Sequence, residues 1–370
     1  MSLAIILAAV ACLAFANGAN DNFKGVATLF GSATTNYRGA LHWATATTLG
    51  GSLAALFLAG SLLKNFSGKG LVEDGIVGNL DYGAAVALGA GLTVLLATFV
   101  GMPVSTTHGL VGALVGAGWA AGSTVNFAKL GSTFFVPLLI SPVVALVATA
   151  VLYRLFHAAR LRFGISEQTC FCVGSETIDA QPAMDHAAAL QRTQRLTVVM
   201  GDTVTCRRQY EGQMLGVDAA TALDRFHYVS AGVVSFARGL NDTPKIAALL
   251  LLVPQLGGLG STALVGVLIA VGGFLGARRV AETMSKEITP MNHGQGFTAN
   301  LISGLLVIAA SRYGWPVSTT HVSCGSLFGV GTATRQANLG MIGKILLAWV
   351  TTLPLGVALG ALSFQIIALT

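Results

Sequence analysis

Apolar stretches follow one another along most of the chain, and one polar central region separates them into two groups. The stretches are rich in Leu, Ala, Val and Gly, and several reach about 20 residues, enough for a helix that crosses about 30 Å of hydrocarbon. They lie at about 2–33, 41–62, 82–101, 109–121, 132–153, 226–253, 261–277, 297–310, 322–332 and 341–369. This pattern predicts an all-α polytopic membrane protein with a small soluble insert.

The central region, 156–225, has the composition of a soluble segment. It holds eight of the 15 acidic residues and many bases. Within it, the segment 195–210 alternates polar and apolar residues around Gly201-Asp202, which predicts a short β-hairpin or a small β-containing subdomain. The chain therefore divides into a first membrane region (1–155), an insert (156–225) and a second membrane region (226–370).

The charge content agrees with a membrane protein and argues against nucleic acid as a partner. Charged residues make up 10% of the chain and hydrophobic residues 54%, whereas a soluble domain carries roughly 25% charged residues. The net charge of +6 comes from 21 Lys and Arg, but no basic run exceeds two residues and none is interleaved with aromatic residues. The expected surroundings are a lipid bilayer.

The basic residues predict how the chain is oriented in the cell membrane. We expect an N-terminus outside, three crossings in the first region, a hairpin over 82–121 that enters from outside, and a second region of inverted orientation with its hairpin at about 294–332. Fourteen bases then lie inside and three outside, in agreement with the positive-inside rule. The termini are predicted outside and the insert in the cytoplasm. The inside bases are Arg38, Arg154, Arg160, Arg162, Arg192, Arg195, Arg207, Arg208, Arg225, Arg278, Arg279, Lys286, Arg335 and Lys344.

Two sequence blocks occur twice, in the same order, once in each membrane region. The block 15–24, Phe-Ala-Asn-Gly-Ala-Asn-Asp-Asn-Phe-Lys, returns over 236–245 as Phe-Ala-Arg-Gly-Leu-Asn-Asp-Thr-Pro-Lys. The block 103–108, Pro-Val-Ser-Thr-Thr-His, returns unchanged over 316–321. Duplicated halves are typical of secondary transporters, so the repeat predicts an inverted-repeat transporter with broken helices and two re-entrant helical hairpins.

Each Gly-x-Asn-Asp block interrupts an apolar stretch with residues that are poor helix formers. Asp21 and Asp242 are the only acids well inside apolar stretches, and a carboxylate there is costly unless it faces a cation or water. Asn20 and Asn241 add neutral oxygens of the kind that hard cations prefer. These four residues are the predicted cation or coupling site, with Na+ as a candidate ion at both carboxylates. The alternative is structural, with each aspartate paired to the lysine three residues later.

The Pro-Val-Ser-Thr-Thr-His blocks have the pattern of a helix start. Proline ends the first arm of each predicted hairpin, and Ser or Thr stands where the second arm begins, as an N-cap does. Two such tips would present backbone N–H groups, helix dipoles and six hydroxyls to a tetrahedral oxyanion; helix capping alone is the alternative. The candidate anion ligands are Ser105, Thr106, Thr107, Ser318, Thr319 and Thr320.

Five further residues belong to these blocks. Lys24 and Lys245 are candidates for a supporting role. His108 and His321 follow the tips and either serve the site or pack beneath the hairpins against a backbone carbonyl. Arg238 has Asn17 as its counterpart and either neutralises substrate charge or pairs locally, so it is left out of the predicted site.

The two pairs of blocks resemble the inorganic phosphate transporter (PiT) family of secondary carriers. The resemblance covers both membrane regions and leaves out the insert. It implies an inverted-repeat fold, a homodimer, and transport of inorganic phosphate with a coupling cation, Na+ or H+. Carried over by motif, it implies that the Asn-Asp pairs bind the cation and that the Ser and Thr residues of the tips bind phosphate.

One departure from the family bears on the coupling ion. The family's first motif commonly continues Val-Ala-Asn-Ala, whereas Asn22-Phe23-Lys24-Gly25 follows here, and the second block ends in Thr243-Pro244-Lys245. A lysine thus replaces an amide in each half. Its ammonium group either fills part of a sodium site, which favours proton coupling, or helps to hold phosphate, or snorkels away.

We therefore expect a phosphate:cation symporter that works by alternating access and needs no cofactor. The main alternative is transport of sulfate or another tetrahedral oxyanion. An anion channel or a membrane sensor with the insert as its output domain is less favoured. An enzyme is not expected, because the sequence shows neither a nucleophile with its base nor a metal-ligand cluster.

Overall fold

The structure, a computed structural model, describes residues 2–166, 169–179, 192–202 and 215–369. The chain forms two compact units, one of Met1–Tyr153 with His227–Thr370 and one of Arg154–Phe226. The helices are α1 (Ser2–Asp21), α2 (Ala27–Gly31), α3 (Tyr37–Leu58), α4 (Gly60–Asn65), α5 (Asp74–Val77), α6 (Leu80–Phe99), α7 (Thr106–Ala120), α8 (Phe127–Lys129), α9 (Val136–Arg162), α10 (Ala219–Ala247), α11 (Gly257–Gly276), α12 (Arg278–Glu282), α13 (His293–Tyr313), α14 (Thr319–Thr334) and α15 (Leu339–Ala368). Short π-helical segments at Leu130–Phe135 and Thr283–Glu287 lead into α9 and follow α12, and 3-10 turns at Ala248–Leu252 and Pro254–Leu256 precede α11.

The prediction of a helical, multi-pass membrane protein is confirmed. Six spans within the described part of the chain are long and apolar enough to cross a membrane: Leu3–Asp21, Leu80–Phe99, Phe127–Arg162, Pro254–Gly276, His293–Tyr313 and Leu339–Ala368. The span that contains α9 is only 17% buried within the protein, which leaves its apolar side chains to contact lipid. Helices α3 and α10, both in stretches predicted as crossings, are not among the six, whereas α6 and α13, the first arms of the predicted hairpins, are.

The two Gly-x-Asn-Asp blocks are folded differently. In the first half α1 ends at Asp21 and a turn leads to α2, as expected for a broken helix. In the second half α10 runs through the block with Pro244 inside it and changes to a 3-10 turn at Ala248. Gly25, directly after the first block, corresponds to Ile246 after the second, and glycine is the poorer helix former of the two.

Two helical hairpins carry the Pro-Val-Ser-Thr-Thr-His blocks. One is formed by α6 and α7 and the other by α13 and α14. Their apices are Gly101 and Gly314, whose φ values of 73° and 72° suit glycine. After each apex an extended segment leads to the serine before the second arm, Ser105 or Ser318.

Helices of one half cross helices of the other at equivalent positions. Gly18 in α1 lies against the carbonyl oxygen of Ile269 in α11, and Gly239 in α10 lies against that of Thr48 in α3. Residues 18 and 239 are related by the same offset as 48 and 269. These glycines let backbones approach closely, as in other membrane helix pairs. The inverted orientation of the two halves stays a prediction.

The smaller unit contains a three-stranded antiparallel sheet in the order β2-β1-β3, made of β1 (Thr169–Asp179), β2 (Arg192–Asp202) and β3 (Leu215–Asp218). In its register Thr169 pairs with Asp202, and Cys170 pairs with Asp218. Strands were predicted here, but the hairpin is not the one expected. Gly201 and Asp202, expected at the turn of that hairpin, lie within β2 and pair with Cys170 and Thr169 of β1. The second arm of the predicted hairpin lies outside the described residues.

Candidate functional site

The residues singled out from the sequence come together inside the larger unit. Asn20, Asp21, Asn241 and Asp242 are all buried, with at most 2% of their surface exposed. Asp21 is the last residue of α1, and Asp242 lies within α10. The two halves thus bring their Asn-Asp pairs to one buried region, as the repeat predicted.

The serines of the hairpin tips cap the second arms. The Ser105 hydroxyl accepts a hydrogen bond from the His108 backbone N–H at 3.2 Å, and the Ser318 hydroxyl accepts one from the His321 N–H at the same distance. These are the contacts of an N-cap. Capping and anion binding are compatible, because each hydroxyl keeps its proton to donate.

The extended segments of the two tips are in direct contact. The Thr320 hydroxyl donates to the Val104 carbonyl at 2.7 Å, and the Thr107 hydroxyl donates to the Val317 carbonyl at 3.4 Å. Thr320 and Val317 belong to one tip, whereas Thr107 and Val104 belong to the other. The two contacts therefore join the tips symmetrically and close the space between them.

Each aspartate is bonded to a threonine of the tip in its own half. The Thr106 hydroxyl donates to Asp21 Oδ2 at 3.3 Å, and the Thr319 hydroxyl donates to Asp242 Oδ2 at 3.4 Å. Asn17 donates to both carboxylates, to each at 3.3 Å, and to the Thr106 hydroxyl at 3.0 Å. The predicted cation site and the predicted anion site are therefore parts of one network.

The two lysines form the predicted ion pairs and also reach the tips. Lys24 Nζ lies 2.5 Å from Asp21 Oδ1, and Lys245 Nζ lies 3.3 Å from Asp242 Oδ1. Lys24 also donates to Thr320, and Lys245 to Thr107. The structural alternative for the aspartates is thus realised, in a position where each lysine also touches the tip of the other half.

Arg238 and Asn17 are central residues that the sequence did not select. Arg238 is 1% exposed, lies 3.8 Å from Asp242 Oδ2 through its Nε, and donates to Asn17 and Asn22, in each case at 3.0 Å. Its Nε–H has no hydrogen-bond partner among the described residues. The signal that could have identified it is a charged residue within an apolar stretch, one position before the repeated glycine.

The polar residues that support the asparagines are also equivalent in the two halves. Asn20 donates to the Thr98 hydroxyl at 2.9 Å, and the Ser311 hydroxyl donates to Asn241 Oδ1 at 3.3 Å. Thr98 and Ser311 each lie three residues before a hairpin apex. Sequence reasoning missed this pair because the tip blocks begin after the apex.

The charges of the cluster do not cancel. Asp21, Lys24, Arg238, Asp242 and Lys245 are the only Asp, Glu, Lys or Arg side chains that are buried among those the structure describes. Three cations therefore face two carboxylates and leave one positive charge in excess. A buried excess charge is unfavourable unless a counter-charge arrives, which makes the cluster suited to an anion.

The histidines pack beneath the tips. His321 stacks on Trp349 with ring centroids 3.9 Å apart, and its ring also meets that of His108 at 4.7 Å. His321 Nδ1 contacts the Leu138 carbonyl oxygen at 3.1 Å. These are the contacts of the packing alternative, and a role in the site stays a prediction.

Comparison with known proteins finds similarities that extend over most of the chain. Residues 17–360 match the model of the phosphate transporter family. A protein of Pyrococcus abyssi described as a phosphate permease is 26% identical over 96% of this chain and 95% of its own length. A protein of Mycobacterium leprae described as a low-affinity inorganic phosphate transporter is 26% identical over 99% of this chain and 78% of its own length. A solved structure, described as the sodium-dependent phosphate transporter, superposes with a TM-score of 0.74 at 21% identity and covers 100% of this chain and 99% of the other.

Proposed function

The chain belongs to the phosphate transporter family, and we propose that it carries phosphate together with a cation by alternating access. Transport of inorganic phosphate across the membrane is the activity of that family. The name of the relative from Mycobacterium leprae supports inorganic phosphate as the substrate, and the name of the solved sodium-dependent transporter supports coupling to a cation. In this proposal both ligands bind in the buried cluster between the two hairpin tips.

The observation that carries the proposal is the charge of that cluster. The excess of one positive charge lies beside the N-termini of α7 and α14, and helix N-termini are favourable places for anions. Opening the contact between the tips frees hydroxyls and backbone N–H groups for an oxyanion. The proposed phosphate ligands are Ser105, Thr106, Thr107, Ser318, Thr319 and Thr320.

The two carboxylates favour binding of phosphate over sulfate. Asp21 and Asp242 already accept hydrogen bonds from tip threonines, and they are placed to accept the proton that hydrogen phosphate carries and sulfate lacks. A coupling cation at the Asn20-Asp21 and Asn241-Asp242 pairs offsets the repulsion between carboxylate and phosphate, so each ligand raises the affinity of the other. Movement of one half against the other then exposes the site to each side in turn.

Uptake of radiolabelled phosphate into proteoliposomes tests the proposal. We expect uptake that rises with an imposed sodium or proton gradient and that excess sulfate inhibits weakly. Flux that ignores both gradients would contradict symport. Protein that carries sulfate but no phosphate would contradict the assigned substrate.

The proposal extends to orientation and assembly. We propose that the protein lies in the cell membrane with both termini outside and the insert in the cytoplasm, and that it forms a homodimer. The basic residues support the orientation, and the resemblance to the family supports the dimer. Light scattering from purified protein in detergent should find particles of two chains; a single chain per particle would contradict the dimer.

A further inference from the structure

The ammonium groups of Lys24 and Lys245 are each surrounded by oxygen atoms. Lys24 Nζ lies 2.8 Å from Asn20 Oδ1, 2.5 Å from Asp21 Oδ1, 2.8 Å from the Val104 carbonyl and 2.5 Å from the Thr320 hydroxyl. The lysine is 3% exposed. Four oxygens therefore enclose one nitrogen away from water.

The second half repeats the arrangement with equivalent atoms. Lys245 Nζ lies 2.8 Å from the Val317 carbonyl, 2.9 Å from the Thr107 hydroxyl and 3.3 Å from Asp242 Oδ1. In each half the oxygens come from the aspartate, a carbonyl of the same half's tip and a threonine of the other half's tip. We call these two groups of oxygens the Lys24 cage and the Lys245 cage.

Each cage has the ligands that a hard cation uses. Carboxylate, carbonyl, amide and hydroxyl oxygens are the usual partners of such ions, and an ammonium group with three N–H donors takes up the same oxygens. A second cation in the same cage would compete for the carboxylate and would lie against a fixed positive charge. In water-excluded surroundings that repulsion is strong.

We infer that Lys24 and Lys245 are built-in cations that occupy the sites predicted for sodium, so that this protein transports phosphate without sodium. The inference rests on the proposed function and specifies its coupling ion. Each lysine holds the two tips together as a bound cation would, but it stays attached to the chain. The proton gradient then remains as the driving force.

The titratable and charged groups around the two ammonium groups belong to several elements. They are Asp21, Asp242, Arg238, Cys324, His108 and His321. Proton transfer during transport must therefore involve this set or the phosphate itself. Both carboxylates of this set, those of Asp21 and Asp242, are already paired with a lysine, so no unpaired carboxylate is left for sodium.

The test compares sodium dependence in the protein and in variants that restore the amide of the family motif, Lys24→Asn and Lys245→Asn. Wild-type protein should take up labelled phosphate equally well when choline replaces sodium. Either variant should require sodium, with uptake on the order of tenfold higher in sodium than in choline, the change that ~1.4 kcal/mol of cation binding produces. The exposed Lys64 provides the matched control, since Lys64→Asn should remain independent of sodium.

Melting temperatures keep the test decisive if a variant does not transport. A cation that binds only the folded protein raises its melting temperature, so sodium should stabilise Lys24→Asn and leave wild type unchanged. Lysines that serve only as clamps between the tips would give variants that lose activity without any response to sodium, and that result overturns the inference. Sodium-dependent uptake by wild type also overturns it while leaving phosphate transport intact, whereas no phosphate uptake under any gradient contradicts the proposed function itself.

Discussion

Each buried carboxylate of the cluster has an ammonium partner three residues later, so charge removal affects stability as well as transport. Asp21→Asn leaves Lys24 without its carboxylate, and breaking a buried ion pair in this way costs about 3–5 kcal/mol. We expect a lower melting temperature and no gradient-driven phosphate uptake, and the same for Asp242→Asn. Exposed Asp74 supplies the control, because Asp74→Asn should change neither.

The double variant Asp21→Asn, Lys24→Gln separates the two effects. It replaces the pair by two neutral amides, so no unpaired charge is left buried. Its melting temperature should recover towards the wild-type value while uptake stays absent. Recovery of uptake along with stability would mean that the pair is structural and that Asp21 has no part in coupling.

Arg238 supplies the positive charge that the carboxylates leave unbalanced. Arg238→Asn introduces the residue found at the equivalent position 17 and removes that excess, so phosphate should bind less well. A hydrogen bond to a charged group contributes about 1.5–3 kcal/mol, which predicts a KM for phosphate at least about tenfold higher. Arg238→Lys should recover part of the affinity because it keeps the charge.

The exposed arginine at the end of α13 is the matched control for this prediction. Arg312 is also a base without a counterpart in the other half, but its side chain is exposed. Arg312→Asn should leave the KM for phosphate unchanged in the same uptake assay. An Arg238→Asn protein with normal KM and reduced maximal rate would indicate that Arg238 supports movement and does not hold phosphate.

At the scale of helices, the repeated glycines test whether the two crossings are equivalent. A methyl group at Gly18 or Gly239 would overlap a backbone carbonyl oxygen of the helix it crosses. Overpacking of this kind costs about 1–3 kcal/mol, so Gly18→Ala and Gly239→Ala should lower the melting temperature in detergent by a similar number of degrees. Gly343→Ala on α15 is the control, because nothing lies within 4 Å of the added carbon. A loss at one glycine and not at the other would argue against equivalent halves.

At the scale of the elements, the sequence predicted the features that depend on local signals. Apolar length located the helices, and the Pro-Val-Ser-Thr-Thr-His blocks located the starts of α7 and α14, because both signals are local in the chain. The continuation of α10 through Asp242 was not predicted, since the blocks look alike and the difference lies in the residue that follows each block, Gly25 or Ile246. The contacts of Lys24 with Thr320, and of Lys245 with Thr107, were not predictable either. These contacts depend on how the two halves pack against each other, which no local residue pattern predicts.

Apart from the buried cluster, several bases of the membrane unit lie near the two ends of α3. Arg38 at the start of that helix lines a pocket of about 380 Å³ with Arg278 and Lys286. Beyond the other end, the Lys129 ammonium donates to the Lys69 carbonyl. A helix of 22 residues is about 33 Å long, so the two ends of α3 are separated by roughly the thickness of the hydrocarbon core. Arg38, Arg278 and Lys286 belong to the bases predicted inside. Lys69 and Lys129 are, with Lys64, the three bases that the same topology places outside.

The apices at the ends of the two first arms lie beside different elements. Gly101, the apex of the first hairpin, lies near Arg279, and Gly314, the apex of the second, lies against Ser61 and accepts a hydrogen bond from Asn65. The two apices are therefore not the parts that touch. The contact between the hairpins is made after each apex, between Val104 and Thr107 of one tip and Val317 and Thr320 of the other. Both first arms, α6 and α13, are long and apolar enough to cross a membrane, whereas the hairpins were expected only to enter it; the re-entrant arrangement stays a prediction.

Cysteine labelling in intact cells tests the predicted orientation. In a background without the native cysteines, Lys69→Cys should react with a membrane-impermeant maleimide, and Arg335→Cys should react only after permeabilisation. Both positions are exposed, so a difference in labelling reports sidedness and not burial. The basic residues favour this orientation because Lys and Arg are retained on the cytoplasmic side. The opposite pattern would place the termini and the insert on the other sides, and equal labelling of both positions would contradict the separation of the two groups of bases by the membrane. The native cysteines to be replaced are Cys12, Cys170, Cys172, Cys206 and Cys324.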